Sequence, residues 1–202
     1  MPLAEDIATV SKAMGVLRQR GSLGPICTPA SIGLSNQKRE TLEAALEHLQ
    51  KQAKTPLPEM GVVLPKTSLL GGLVINKDAC TLCMSCVSGC PEGALLDNPD
   101  EPILSFIEKQ CVQCGICVQT CPEKALTLAP RLQTVEQRKQ RTALNETQAF
   151  HCISCGKPFG TLKMVDLMLS KLGSHGAFAG AAMDRLKMCS DCRVVDMVKK
   201  ET

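Results

Sequence analysis

Eight of the chain's 13 cysteines fall into two copies of one spacing. Cys80, Cys83, Cys86 and Cys90 are followed by Pro91, and Cys111, Cys114, Cys117 and Cys121 by Pro122. Both runs read C-x2-C-x2-C-x3-C-P, and every member recurs at an offset of 31 positions. Thiolates are soft ligands, and this spacing is a ligand run for [4Fe–4S] clusters. Three cysteines two residues apart sit on one tight loop that wraps three corners of a cubane, and the proline after the fourth starts a new chain direction. The chemistry is one-electron exchange. Disulfides fit poorly, because no signal peptide precedes the runs and reducing compartments disfavour them. Zinc sites seldom combine three cysteines at this spacing with a fourth before proline.

Four further cysteines form two C-x2-C pairs, Cys152 with Cys155 and Cys189 with Cys192. Two such knuckles supply a tetrahedral four-thiolate zinc site. A third iron–sulfur cluster is the alternative on the same soft-ligand logic, and four free thiols are the bland one. The 33 residues between Cys155 and Cys189 exceed the usual ribbon spacing. They carry helical periodicity at Leu162, Val165, Leu169 and Leu172, a glycine-rich turn at 173–176, and a second helical stretch at 181–188. The expectation is a small helical hairpin clamped by a metal, in a segment with few large apolar side chains, little secondary structure and need of a staple. His151 adjoins Cys152 but is not required, since four cysteines suffice.

The elements that must position the two cysteine runs are short. Residues 72–75, 94–96, 103–107 and 125–128 read as strands, with a turn at Asn98, Pro99 and Asp100 joining the middle pair. Short helices are expected after Pro91 and Pro122. The repeat extends beyond the ligands: CVSGCPEGAL at 86–95 matches CVQTCPEKAL at 117–126. Residues 71–132 resemble the bacterial 2[4Fe–4S] ferredoxins, with a longer insert at 97–110. The resemblance implies crossed ligation. Cluster I takes Cys80, Cys83, Cys86 and Cys121, and cluster II takes Cys111, Cys114, Cys117 and Cys90, because the fourth cysteine of each run lies past the turn.

Outside the repeat, Leu3, Ile7, Val10, Met14 and Leu17 recur at helical spacing, and a second helix spans about 36–54 with Leu42, Leu46 and Leu49 on one face. Pro56, Pro58 and Pro65 mark an extended linker. Cys27 stands alone and reads as a small buried hydrophobe. The basic run at 131–141 (RLQTVEQRKQR) reads as a solvated linker or helix face; a docking surface for an acidic partner is the functional alternative. The expected class is therefore α+β: an N-terminal helical region and linker at 1–70, a ferredoxin-like two-cluster domain at 71–132, and a linker helix with a zinc-ribbon-like, small helical four-cysteine region at 133–202.

Tryptophan and tyrosine are absent and phenylalanine numbers four, so no large aromatic core is available. The formal charge of +3 counts cysteines as neutral. Two clusters with eight thiolates contribute about −4 and a four-thiolate zinc site about −2, placing the oxidised holoprotein near −3. The apparent basicity therefore argues for no anionic partner. Nucleic-acid binding is not expected without interleaved aromatics. No stretch is long and apolar enough to span a membrane, and the expected location is the cytoplasm. There is no G-x-G-x-x-G and no P-loop, which disfavours an enzyme acting alone.

The segments at 150–159 (FHCISCGKPF) and 188–193 (MCSDCR) are similar to the C-terminal part of long bacterial 4Fe–4S proteins associated with formate dehydrogenases. A helix like that at 38–50 precedes the first cluster run in that family, so the resemblance covers about 35–202. It implies a redox partner such as a formate dehydrogenase, and makes the chain a short member or a fragment. The reading is an electron carrier or electron-transfer subunit with two [4Fe–4S] clusters and one Zn2+. The competing reading is a maturation or regulatory factor that uses clusters and zinc structurally.

Overall fold

The computed structural model describes residues 28–33, 36–178 and 180–199. The helix expected near Leu3–Leu17 and the lone Cys27 lie outside the described residues. The chain forms two compact units, residues 1–56 and 57–202. In the first, helix α1 (Lys38–Gln52) places Glu40 in its first turn and Lys51 in its last, as the helix dipole favours. Side-chain pairs four residues apart run along it, Arg39–Glu43 at 3.3 Å with Glu43 buried and Glu47–Lys51 at 2.9 Å. Leu42 and Leu49 of the apolar stripe are exposed.

The second unit is a mixture of short helices and small sheets. Strands β1 (Val62–Val63), β2 (Gly71–Ile75), β3 (Leu95–Leu96), β4 (Ile103–Ile107), β5 (Leu126–Leu132) and β6 (Arg141–Glu146) form two antiparallel sheets, ordered β1-β5-β2 and β3-β4-β6. The repeat in the sequence becomes a repeat in the register. Ile75 pairs with Leu126, and 31 residues away in each strand Phe106 pairs with Leu95. The backbone repeats as well: Leu82 and Gln113 take φ of 52° and 55°, Met84 and Gly115 58° and 78°, Gly93 and Lys124 60° and 49°. Six left-handed residues at matched positions show that each loop needs this conformation, whichever side chain stands there. Both sheets draw on residues outside 71–132, since β1 pairs with β5 and β6 with β4.

The helices of the repeat sit elsewhere than the sequence suggests. α2 (Ser85–Ser88) and α3 (Ile116–Thr120) precede Pro91 and Pro122 rather than follow them. The left-handed Met84 and Gly115 launch a helical turn that carries the third cysteine of each run. After each proline only a turn fits, because β3 and β5 begin four residues later at Leu95 and Leu126.

The core of this unit is built largely from cysteine. Cys80, Cys86, Cys111 and Cys117 are buried among Leu73, Leu82, Ala94, Leu95, Leu104, Phe106, Ala125 and Leu126. The chain has no tryptophan or tyrosine, Phe106 is the aromatic ring of this core, and the thiols converge beside it.

The basic run does not behave as a solvated face. Arg131 and Leu132 belong to β5, α4 (Val135–Lys139) follows, and Arg138 is completely buried. Arg131 donates from Nε at 3.0 Å and from Nη2 at 2.8 Å to Glu108 Oε2. Glu108 is 4% exposed, so this charge has a partner where it has little water.

The C-terminal part is richer in regular structure than its composition suggests. A hairpin of β7 (Ala149–His151) and β8 (Pro158–Thr161) leads into α5 (Leu162–Leu172), α6 (Ala181–Arg185) and α7 (Ser190–Lys199). Phe150 and Phe159 meet edge to face across the hairpin, with centroids 5.9 Å apart. α5 and α6 match the helical spacing seen in the sequence. α7, which carries Cys192, is not among the helices expected from the sequence, and its Val194, Val195, Met197 and Val198 are all exposed.

Candidate metal centres

Three groups of four cysteines are assembled. The first cavity is lined by Cys80, Cys83, Cys86 and Cys121, with Leu82, Leu104 and Leu126. The second is lined by Cys90, Cys111, Cys114 and Cys117, with Leu73, Leu95, Phe106 and Leu128. Each takes its fourth cysteine from the other run. The loop geometry explains the exchange. The helical turn keeps the first three sulfurs of a run together, and the turn at the proline carries the fourth across to the neighbouring cavity.

Each fourth sulfur is held by the backbone. The Ala94 N–H donates to Cys90 Sγ and the Ala125 N–H to Cys121 Sγ, both at 3.3 Å. Three of the interior thiols resist ionisation. Burial, with Cys80, Cys83, Cys117 and Cys121 nearby, pushes Cys86 up to about 12. Burial and the neighbours Cys111, Cys114 and Cys90 push Cys117 up to about 11. Burial also raises Cys111, against hydrogen bonds from Gln113. Cys83 goes the other way: its partial burial opposes ionisation, but hydrogen bonds from Ser85 and Thr81 hold it below the usual range. Apolar cavities in which Cys86, Cys111 and Cys117 resist ionisation suit a cationic iron–sulfur core, which stabilises their thiolates by ligation.

The third group is tighter. The Sγ atoms of Cys152, Cys155, Cys189 and Cys192 all lie within 4.8 Å of one another, with Cys155 and Cys189 3.8 Å apart. Among the described residues no other ligand set is this compact. Four sulfurs bound at about 2.3 Å to one tetrahedral ion stand about 3.8 Å apart. Four thiolates on separate corners of a cubane stand farther apart. The set therefore has the spacing of a single-ion site.

Local structure makes this spacing possible. The Cys152 N–H donates to Lys157 O and the Gly156 N–H to Cys152 O, both at 2.9 Å, with Gly156 at φ 72° closing the knuckle. Ile153 N–H reaches Lys187 O at 3.2 Å and ties the first knuckle to the second. Cys152 is buried, which opposes ionisation, yet N–H groups of Cys189, Cys155 and Ser154 hold its thiol near 6. Cys192 receives a hydrogen bond from Ser154, but Cys155, Cys189 and Cys152 drive it up to about 12. His151 is exposed and lies outside the set.

The C-terminal module is fastened beside the first cavity. Thr161 Oγ1 donates to Thr81 O at 2.7 Å and Lys163 Nζ to Lys77 O at 2.6 Å, while Asn145 Nδ2 of β6 also donates to Lys77 O at 3.3 Å. Sequence reasoning missed these anchors and missed Gln113, which donates from Nε2 to Cys111 Sγ at 3.3 Å and Gly72 O at 2.9 Å. The available signal was Gly71 inside a strand, a mark of close approach by another group.

A family model described as a 4Fe-4S dicluster domain matches residues 79–126, a stretch holding both cysteine runs and less than half of the chain. No curated protein matches the chain. The match, with the assembled cysteines, supports a ferredoxin-type 4Fe–4S domain and iron–sulfur electron transfer. No described helix is long and apolar enough to cross a membrane.

Proposed function

We propose that this chain is an electron-transfer protein that relays single electrons through two [4Fe–4S] clusters. Cluster I is held by Cys80, Cys83, Cys86 and Cys121, and cluster II by Cys90, Cys111, Cys114 and Cys117. The observation that carries the reading is the pair of cavities, each lined by one complete crossed set of four cysteines. A bound [4Fe–4S] group supplies reversible one-electron exchange. The chain's own residues surround it with apolar side chains and give the ligand sulfurs N–H donors, the means by which a protein sets such a potential.

The tetracysteine site holds one Zn2+ in this reading. Its spacing favours a single ion over a third cluster, and zinc is the redox-silent choice for a closed four-thiolate site. The flanking helices and metal site favour a docked partner of a larger oxidoreductase over a small free carrier. A formate dehydrogenase is the candidate, on the similarity of the segments at 150–159 and 188–193.

Metal analysis of anaerobically purified protein tests the reading, with about eight irons and one zinc per chain expected. Dithionite-reduced protein should give the EPR signals of two interacting clusters. It should also pass electrons to or from a formate dehydrogenase with which it co-purifies at fixed stoichiometry. Clusters that never change oxidation state during turnover of any partner would favour a structural or maturation role instead.

A further inference from the structure

The two halves of the repeat match so closely that their differences stand out. Each cavity has a glutamate at the matched position, Glu123 beside the first and Glu92 beside the second. Each has one backbone N–H on its fourth sulfur at the same 3.3 Å. The clearest break falls at the left-handed residue after each first cysteine. The first half has Leu82, buried against its cavity. The second half has Gln113.

The Gln113 amide is placed with both hydrogens committed. Nε2 donates to Cys111 Sγ at 3.3 Å and to Gly72 O at 2.9 Å. Both partners are acceptors, so the nitrogen must point toward them. Oε1 is then left buried with no hydrogen-bond partner, an arrangement that folding alone does not favour. The strand has made room for it. A Cβ on Gly71 would come within 2.8 Å of Gln113 Cδ, and the repeat's counterpart of Gly71, 31 residues on, is Pro102. Cys111 is buried, so water does not replace this donor.

We infer that Gln113 sets the two clusters at different potentials, raising cluster II above cluster I. The inference rests on the two-cluster reading above. A donor to a ligand sulfur stabilises the more negative, reduced state, and does so most where water is excluded. Three features work for cluster I. Ser85 Oγ lies 3.3 Å from Cys83 Sγ, and the Thr81 hydroxyl, where the other half has Val112, bonds the same sulfur, but Cys83 is exposed and water can take the place of either hydroxyl. Lys124 stands in the cluster I half where Gly93 stands in the other, but it is exposed and its charge is screened. The buried amide therefore decides the order, and electrons entering at cluster I run downhill to cluster II.

The test is a potentiometric titration followed by EPR on anaerobically purified full-length protein, with iron counted on every sample. Cys114→Ser identifies the wave of cluster II. Wild type should show two separated waves, cluster II being the higher. Gln113→Leu should lower the cluster II reduction equilibrium about tenfold, equal to about 59 mV for one electron, and leave cluster I in place. Gln113→Glu, close in shape, should lower it further by setting a carboxylate against the sulfur. Variants with full iron and unchanged waves, or with a shifted cluster I wave, would overturn the inference. Iron loss in both variants would overturn it too, by making Gln113 a holding residue. Fewer than two clusters in wild type would instead sink the reading on which it rests.

Discussion

Thr161 and Thr81, 80 positions apart in sequence, are joined by a hydrogen bond of 2.7 Å between buried groups, the Thr161 hydroxyl donating to the Thr81 carbonyl. Thr81 lies between Cys80 and Cys83 in the first cysteine loop. Thr161 ends β8 and caps α5, where its hydroxyl also accepts from the Met164 N–H at 3.1 Å. One hydroxyl therefore joins the hairpin carrying the tetracysteine site to the loop of the first cavity.

Removing that hydroxyl should loosen cluster I alone. Thr161→Val keeps the side-chain shape, strips the cap and leaves the Thr81 carbonyl buried without its donor. Together these cost about 2–4 kcal/mol. Anaerobic protein challenged with an iron chelator should lose cluster I faster than wild type while cluster II bleaches at the wild-type rate. Thr161→Ser should restore the wild-type behaviour. Equal acceleration of both clusters would show that the bond acts on overall stability and not on one loop.

Crossed ligation makes a non-local demand. Cys90→Ala removes a residue four positions from Cys86, yet the centre damaged should be the one bound by Cys111, Cys114 and Cys117, whose cavity Cys90 lines. EPR of the reduced variant should retain the cluster I signal and lose or convert the other. Loss of the cluster held by Cys80, Cys83 and Cys86 would refute the exchange.

How much of this was legible in the sequence follows from where the information sits. The 31-residue offset specified two loops, and it reappears as matched register and matched left-handed residues because identical spacing imposes identical backbone turns. The strands at 71–75 and 103–107 were legible as apolar runs between turns. The short helices were displaced because Pro91 and Pro122 read as helix starts, whereas strands beginning four residues later leave only a turn. The burial of Arg138 is not legible because charge alone does not show that its helix packs against the turn at Glu108–Gln110. Gln113 was hidden since polar residues in loops are ordinary. Only Gly71, opposite it, recorded its presence.

Metal binding at the tetracysteine site should strengthen with pH. All four thiols must be deprotonated to ligate. Cys192 is raised to about 12, so across the neutral range its proton has to be displaced, and affinity should climb with pH. Cys152 is lowered to about 6 from an ordinary 9.0, so its thiolate is present through neutrality and is lost as pH falls through about 6. The dependence should therefore steepen below about pH 6. Competition with a zinc chelator at a series of pH values measures it, and in Cys152→Ser the steepening should vanish. An affinity flat with pH would mean that the four thiols are not the ligands.

Gly71 offers a check on both fold and redox order in one variant. A Cβ there would lie 2.6 Å from Ala129 O, 2.7 Å from Pro130 Cα and 2.8 Å from Gln113 Cδ. The first two are backbone atoms of the paired strand β5 and cannot swing aside, so Gly71→Ala should destabilise by about 1–3 kcal/mol through overpacking. The third is a side chain, and its displacement should pull the amide from Cys111. Gly72→Ala is the comparison: its Cβ would meet the Arg131 guanidinium and Glu108 carboxylate at 2.7 and 2.8 Å, while its carbonyl remains the acceptor for Gln113. Both variants should unfold at lower denaturant than wild type. Only Gly71→Ala should also lower the cluster II potential, in the direction of Gln113→Leu. A potential shift of the same size in both would mean that strand distortion, and not loss of the amide, moves the cluster.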